Sequence, residues 1–271
     1  MTRPPPRVLA IAGSDSSGGA GIQADIKTIA MLGGYAMTAI TAVTAQNTLG
    51  VQGVEALPPS FVVQQVDSCL ADIGADAIKI GMLGAPETAR LLADRLDHFA
   101  GPIVFDPVMV ATSGAALADD RTIAAFAALM DLATVVTPNL PELAALTGAD
   151  ALEGERIVEA AAALARRHDT MVLAKGGHEN ESEVIDRIVA PDGRIASFAH
   201  GRIDTRHTHG TGCTLSSAVA TLLAHGQPLT HAVRLARAFV RAAIKAAPGF
   251  GAGNGPLGHQ AVRLSSSDGR S

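Results

Sequence analysis

The sequence predicts an α/β fold: a central, mostly parallel sheet with helices on both faces and a small antiparallel hairpin. Short apolar runs alternate with longer amphipathic segments along most of the chain, the pattern of repeated βαβ units. Those runs end at glycines or polar residues, as strands do where they leave a sheet. One segment departs from the rhythm: Val184 to Val189 and Ile195 to Phe198 flank Pro191-Asp192-Gly193, which reads as the antiparallel hairpin, over Ser182 to Phe198.

In chain order, the apolar runs predict strands at Val8 to Ala12, Ala36 to Ala45, Ala77 to Ile80, Ile103 to Phe105, Thr134 to Val136 and Met171 to Ala174. The amphipathic intervals predict helices at Ala20 to Leu32, Pro59 to Ile73, Pro86 to His98, Arg121 to Leu132 and Glu153 to Arg167, then at Thr214 to Ala224 and Thr230 to Ala246. No repeat, low-complexity tract or linker interrupts them. The expectation is a single domain over residues 1–271, with 1–7 and 264–271 as flexible tails.

Composition removes several function classes. A net charge of −5, no Trp and one Tyr leave neither a basic footprint nor a stacking surface for nucleic acid. Two cysteines, Cys69 and Cys213, are too few for a disulfide scaffold or a four-thiolate zinc site, which fits a reducing, cytoplasmic setting. Met1 to Pro6 carries no apolar signal core, and no stretch is long and uncharged enough to span a bilayer, so no membrane partner is expected.

In an open parallel sheet, ligands bind beyond the carboxyl ends of the strands. Those ends carry Gly13 to Asp25, Gln46-Asn47-Thr48, Gly81-Met82, Asp106-Pro107-Val108, Thr137 to Glu142 and Lys175 to His178. The most telling segment is His207-Thr208-His209-Gly210-Thr211-Gly212-Cys213-Thr214, a Gly/Thr turn that delivers one thiol to the first turn of an apolar helix. Free N–H groups at a helix start favour anions, and glycines let the backbone approach them. The same partial positive charge is expected to lower the pKa of Cys213. An acid for Mg²⁺, a cation for phosphate and an anion cradle together suit phosphoryl transfer. A Walker-type loop is absent. Gly19-Ala20-Gly21-Ile22-Gln23-Ala24 matches a relaxed dinucleotide pattern, but Thr38 to Gln46 lacks the ribose-binding acid, so NAD is set aside.

These motifs together resemble the ribokinase-like superfamily, and within it the hydroxymethylpyrimidine/phosphomethylpyrimidine kinases of thiamin biosynthesis, from about Val8 to about Arg263. The resemblance implies ATP-dependent phosphorylation of 4-amino-5-hydroxymethyl-2-methylpyrimidine, then of its monophosphate to the pyrophosphate. It implies that Gln46 reads the pyrimidine, that Gly13, Ala20 and Gly21 bring main chain against it with Asp25 nearby, and that Met82 and Val108 wall it. On the nucleotide side it implies Lys175 as the phosphate-contacting cation, Asn139, Thr211 and Gly212 as nucleotide contacts, and Gly210 to Cys213 as the anion hole. Asp106 and Glu142 become the Mg²⁺ acids, with a monovalent cation as an additional candidate and a homodimer as the expected assembly. Cys213 stands where sugar-kinase relatives usually place an aspartate base, so its thiolate is expected to accept the hydroxymethyl proton.

Three rival readings are weighed. A pyridoxal kinase, or a kinase for both ring types, shares the scaffold and the cysteine. A hydrolase pairing Cys213 with His207 or His209 leaves Asn139, Glu142 and Lys175 without a purpose. A non-catalytic pyrimidine or nucleotide sensor sits poorly with candidate residues at every strand end. His98, His168, His225, His231 and His259 are read as solvated or capping, His178 as close enough to Lys175 to approach phosphate, and Cys69 as packed. Gly249 to Gly258 is read either as part of the nucleotide-side wall or as a flexible loop.

Overall fold

In the computed structural model, described over residues 4–111, 114–177 and 182–262, one sheet takes the strand order β3-β2-β1-β4-β5-β6-β7-β8-β9. The strands are β1 (Arg7–Asp15), β2 (Tyr35–Asn47), β3 (Gly50–Ala56), β4 (Ala77–Ile80), β5 (Ile103–Phe105), β6 (Val135–Val136), β7 (Met171–Ala174), β8 (Glu183–Val189) and β9 (Ile195–Gly201). The helices are α1 (Gly21–Met31), α2 (Pro59–Asp72), α3 (Pro86–Leu96), α4 (Asp120–Leu132), α5 (Leu140–Thr147), α6 (Glu155–His168), α7 (Thr211–Ala224) and α8 (Leu229–Lys245), followed by a short 3₁₀ turn at His259–Ala261. From β2 through β7 the central pairs are parallel, while β3, β8 and β9 are antiparallel to their neighbours. The α/β expectation is therefore met.

Alternation along each central strand divides the core in two. Leu9, Ile11, Ile78, Ile80, Ile103, Phe105 and Val136 pack with buried residues of α2, α3, α4, α5 and α6. Val8, Ala10, Val104, Val135 and Leu173 point the other way, against α1, α7 and α8. On β4 the residue between Ile78 and Ile80 is Lys79, so the same alternation drives a cation into the second layer. There it is fully buried, with Nζ 3.0 and 2.9 Å from the two carboxylate oxygens of Asp25 on α1. Ser217 of α7 donates to Asp25 at 2.6 Å, which completes the burial of both charges.

Several expectations are corrected. Arg7 belongs to β1 rather than to a flexible tail: its N–H donates to Asp76 at 2.7 Å and its guanidinium pairs with the same carboxylate at 2.7 Å. Residues 1–3 and 263–271, and with them the other end-tail expectation, lie outside the described residues, as does His178. Strand β3 escapes sequence reading because an edge strand exposed along most of its length has no buried face to impose alternation. Helix α5 follows directly on Pro138-Asn139 and is short. It exists because Asn139 and Glu142 form a capping box, Oδ1 accepting from Glu142 N–H and Oε2 from Asn139 N–H, both at 2.8 Å. Helix α7 starts three residues earlier than expected, at Thr211, which puts Cys213 inside its first turn.

Two histidines expected to be solvated or capping are buried instead: His168, with Nδ1 2.7 Å from Asp131 Oδ1, and His259. His259 is 1 % exposed, beneath α7, with Nε2 2.8 Å from Thr214 Oγ1 and its ring 6.4 Å from Phe239. Burial, reinforced by Lys27, pulls its pKa from 6.5 to about 4. The folded chain therefore holds His259 neutral where the unfolded chain takes up a proton, so this stability is complete above pH 6.5 and declines as pH falls toward 4. Denaturant unfolding across pH 7.5 to 4 is expected to show that decline, and His259→Gln to flatten it by on the order of 2 kcal/mol at the acid end.

Candidate active site

The carboxyl ends of the parallel strands open into one cavity of about 950 Å³. Its walls include Gly13, Ala20, Gly21, Gln46, Met82, Val108, Asp106, Asn139, Glu142, Lys175, Gly210, Thr211, Gly212 and Cys213, so the structure gathers every residue to which the resemblance assigned a site role except Asp25. Asp25 is fully buried beneath the floor, bound to Lys79 and Ser217, and does not reach a ligand in this cavity. Its expected place beside the substrate is corrected accordingly: an α1 carboxylate on this face meets the lysine of β4, not solvent.

One end of the cavity is built by the β1–α1 turn. Gly21 adopts φ +56°, and a side chain there meets the carbonyl of Gly13. A Cβ on Gly13 lies 2.9 Å from Met82 Sδ, so the thioether and the bare backbone share one wall. Asp15 organises the turn. Its Oδ1 accepts from Ser17 N–H and Oγ at 2.8 Å, and its Oδ2 from Gly19 N–H at 3.0 Å and Ala20 N–H at 2.8 Å. His209 Nε2 lies 2.8 Å from the same Oδ2, tying this turn to the segment that leads into α7. Burial opposes the Asp15 charge, but these donors, His209 foremost, hold its pKa down to about 2.

The other end is a charge cluster under the α7 N-terminus. Lys175, which follows β7, places Nζ 2.7 Å from Asp106 Oδ1 and 3.8 Å from Glu142 Oε2. Thr137 donates to Asp106 Oδ1 at 3.0 Å and Ser216 to Oδ2 at 3.2 Å. Burial favours neutral forms of all three ionisable groups. For Asp106 the nearby Lys175 and Lys79 outweigh it and lower the carboxyl pKa; for Glu142 it prevails, with Asp106 adding repulsion, and the pKa rises. Lys175 stays cationic, its pKa raised by Asp106 and Glu142 against the opposing effect of burial. Gly212 faces this cluster: a Cβ there falls 3.3 Å from Lys175 Nζ and 3.6 Å from Asp106 Oδ2. The space is a cradle that any side chain fills, at a helix start whose N–H groups lack intrahelical acceptors.

Cys213 lies between the two ends, close to the backbone of Gly21. The expected acidic thiol is overturned. Burial, helped by the carboxylates of Asp25 and Asp106, raises the Cys213 pKa to about 11, and Lys79 offsets only part of this. A half-turn of helix dipole is too weak an effect to outweigh desolvation. The glycine-rich Gly249–Gly258 segment is also placed differently from the nucleotide-wall reading. It lies outside the cavity lining and docks on the β2–β3 turn, Asn254 N–H donating to the Thr48 carbonyl at 2.9 Å.

Sequence reasoning gave Asp15, Lys79, Thr137 and Ser216 no role of their own, although Asp15 and Thr137 stand in strand-end segments it selected, and it weighed His209 individually only as a hydrolase partner. A lysine inside the apolar run Ala77 to Ile80 was the available signal for Lys79, since a buried cation requires a buried anion. Among the described residues no helix is long and apolar enough to cross a membrane, and no group of three or more His, Cys, Asp or Glu side chains forms a ready metal site.

Comparison with known proteins shows the family. The family model for phosphomethylpyrimidine kinase matches residues 15–258. The chain is 48% identical over 255 residues to a hydroxymethylpyrimidine/phosphomethylpyrimidine kinase of Rhizobium meliloti, covering 93% of this chain and 96% of that protein. It is 45% identical over 254 residues to the thiamine biosynthesis bifunctional protein ThiED of Geobacter sulfurreducens, but spans only 52% of that protein's length. Among solved structures, the ADP complex of Bacillus subtilis pyridoxal kinase superposes with a TM-score of 0.87 at 35% identity, covering 95% of this chain and 98% of that one. The chain belongs to the phosphomethylpyrimidine kinase family.

Proposed function

We propose that the chain transfers phosphoryl groups from ATP, first to the alcohol of 4-amino-5-hydroxymethyl-2-methylpyrimidine and then to the resulting monophosphate, in thiamine biosynthesis. One observation carries this reading: a polar and apolar ring pocket (Gln46, Met82, Val108) and a cationic anion cradle (Lys175, Gly210 to Cys213) open into the same cavity, with Cys213 between them. The names of the relatives and the matching family model support the substrate class.

In this reading the Gln46 amide, which has both donor and acceptor, meets the amino group and ring nitrogen of the pyrimidine, while Met82 and Val108 cover its faces. The Gly13 and Gly21 backbone approaches it where side chains would intrude. Thr211 and Gly212 N–H groups, with Lys175, receive the transferring phosphate and its developing charge. Asn139 and the capping box hold the α5 end of the nucleotide site rigid. Asp106 and Glu142 are hard oxygen donors that fit Mg²⁺, and two protein acids suit an ion whose remaining ligands are phosphate oxygens and water. When bound, Mg²⁺ supplies charge neutralisation along the polyphosphate. Cys213 is a thiol at rest and accepts the hydroxymethyl proton through its small thiolate fraction; the second acceptor is an ionised phosphate and has no such proton to lose. A cytoplasmic homodimer is part of this proposal, supported by the exposed Val43, Leu49 and Val54 along the β2–β3 edge.

A second reading, phosphorylation of pyridoxal, draws on the close superposition with Bacillus subtilis pyridoxal kinase. A product-resolved assay with the pyrimidine, its monophosphate and pyridoxal, each with ATP, decides between them. The pyrimidine is expected to yield mono- and then diphosphorylated product, and turnover of pyridoxal alone contradicts the proposal. In the same assay Cys213→Ala is expected to slow the first step by about 10²-fold and the second far less. The first-step rate of the unaltered enzyme should climb with pH toward about 11, and that slope should vanish in Cys213→Ala. Equal losses in both steps assign the sulfur a structural role instead.

Gly212→Ala separates cradle from fold. Its methyl group suits a helix but occupies the space beside Lys175 Nζ. Thermal stability is expected to hold while kcat/KM drops by about 10²-fold; undiminished turnover places the phosphate elsewhere.

A further inference from the structure

Gln46 stands between two partners whose own hydrogen bonds are already committed. On one side is Thr44, whose hydroxyl carries a single proton and donates it to the Ser14 carbonyl at 3.0 Å; Gln46 Oε1 lies 3.4 Å from that hydroxyl's own oxygen, Thr44 Oγ1. On the other side is His209, with Nε2 2.8 Å from Asp15 Oδ2 and 3.3 Å from Gln46 Nε2. Asp15 is a carboxylate and only accepts, so the proton they share resides on His209 Nε2. A ring nitrogen that donates to a carboxylate has no lone pair left for an amide NH₂.

With Nε2 toward His209, the Gln46 amide therefore faces a donor with its donor, and an already used hydroxyl with its acceptor. Rotating the amide by half a turn resolves both conflicts. Oε1 then accepts from His209 Nε2–H, shared with Asp15, and Nε2 donates into the free lone pair of Thr44 Oγ1. We infer that His209, held in its Nε2–H form by Asp15, is a positioning residue that fixes the Gln46 carbonyl on the His209 side and its NH₂ on the Thr44 side.

The consequence is a specificity device. The second lone pair of Oε1 and the second proton of Nε2 face the cavity as an ordered acceptor–donor edge. That edge complements a heterocycle with an amino group beside a ring nitrogen, the arrangement in an aminopyrimidine. Pyridoxal has no amino group next to its ring nitrogen and gains little from it. His209 and Asp15 thus act on ring choice without touching the reacting oxygen. Asp15 simultaneously anchors the β1–α1 turn through Ser17, Gly19 and Ala20, so the ring-reading edge and the main chain that packs against the ring share one origin.

The inference deepens the proposed function and rests on it for the identity of the ligand. Two measurements on the full chain test it. In a long-range proton–nitrogen spectrum of the unaltered protein, His209 Nε2 should be protonated; an unprotonated Nε2 overturns the inference whatever the ligand. Calorimetric titration with 4-amino-5-hydroxymethyl-2-methylpyrimidine should show His209→Ala weakening binding by about tenfold or more in the native background, yet by less than about twofold when Gln46 is already Ala. Pyridoxal binding should change little, and His209→Gln, which keeps an N–H for Asp15, should recover part of the loss. An equal cost of His209→Ala in both backgrounds makes the histidine a general structural latch and defeats the inference. Failure of the unaltered protein to bind the pyrimidine defeats the proposed function, while the nitrogen spectrum still decides the tautomer.

Discussion

Two lysines set the terms on which this cavity exists. Asp25, Asp106 and Glu142 are nearly or wholly removed from water, and among the described residues Lys79 and Lys175 are the cations paired with them. Isolated charges at such depth are prohibitively costly, so each carboxylate is tolerated because a cation and hydrogen-bond donors face it: hydroxyls at Asp25 and Asp106, the Asn139 N–H at Glu142. Lys79 is locked: it is fully buried and bound to both oxygens of Asp25. Lys175 is different, since it borders the cavity, contacts two carboxylates unequally and lies next to Gly212, which puts no side chain into the first turn of α7. One lysine is framework and the other is available for exchange of partners.

The fold explains why these groups meet. Parallel strands deliver β1, β4, β5, β6 and β7 to the cavity from one direction, and α7 enters from the second layer with its N-terminus at their carboxyl ends. Anion affinity is then a property of where the helix begins rather than of many basic residues, which is how an acidic chain can accommodate a polyphosphate. The first-strand turn closes the opposite side, and Asp15 joins it to the α7 approach through His209. In the proposed function, ring pocket and phosphate cradle are consequently registered to each other by one buried carboxylate.

Much of this was legible in the residues. Apolar runs gave the central strands because burial on both faces leaves an unmistakable composition, and the glycine-rich turns marked the loops that approach a ligand. The exposed edge strand β3 left no such signature, and α5 was hidden by its brevity and by a start at Pro138-Asn139. Site residues at strand ends were visible as types, but not their partners: nothing local in the sequence pairs Lys79 with Asp25 or His209 with Asp15, contacts separated by 54 and 194 residues. The thiol of Cys213 was misjudged for the same reason. Its helix position is local and readable, whereas its desolvation and the two carboxylates that raise its pKa come from distant segments.

In the proposed reaction, Lys175 exchanges Asp106 for the transferring phosphate beneath the α7 N-terminus. A crystal structure of the chain with a non-hydrolysable ATP analogue, Mg²⁺ and the hydroxymethylpyrimidine tests it most directly. The expected complex has Lys175 Nζ withdrawn from Asp106 Oδ1 and bonded to a phosphate oxygen, with the terminal phosphorus over Gly212 and the substrate alcohol facing Cys213. Phosphates bound elsewhere in the cavity, with the 2.7 Å Lys175–Asp106 pair intact, contradict it.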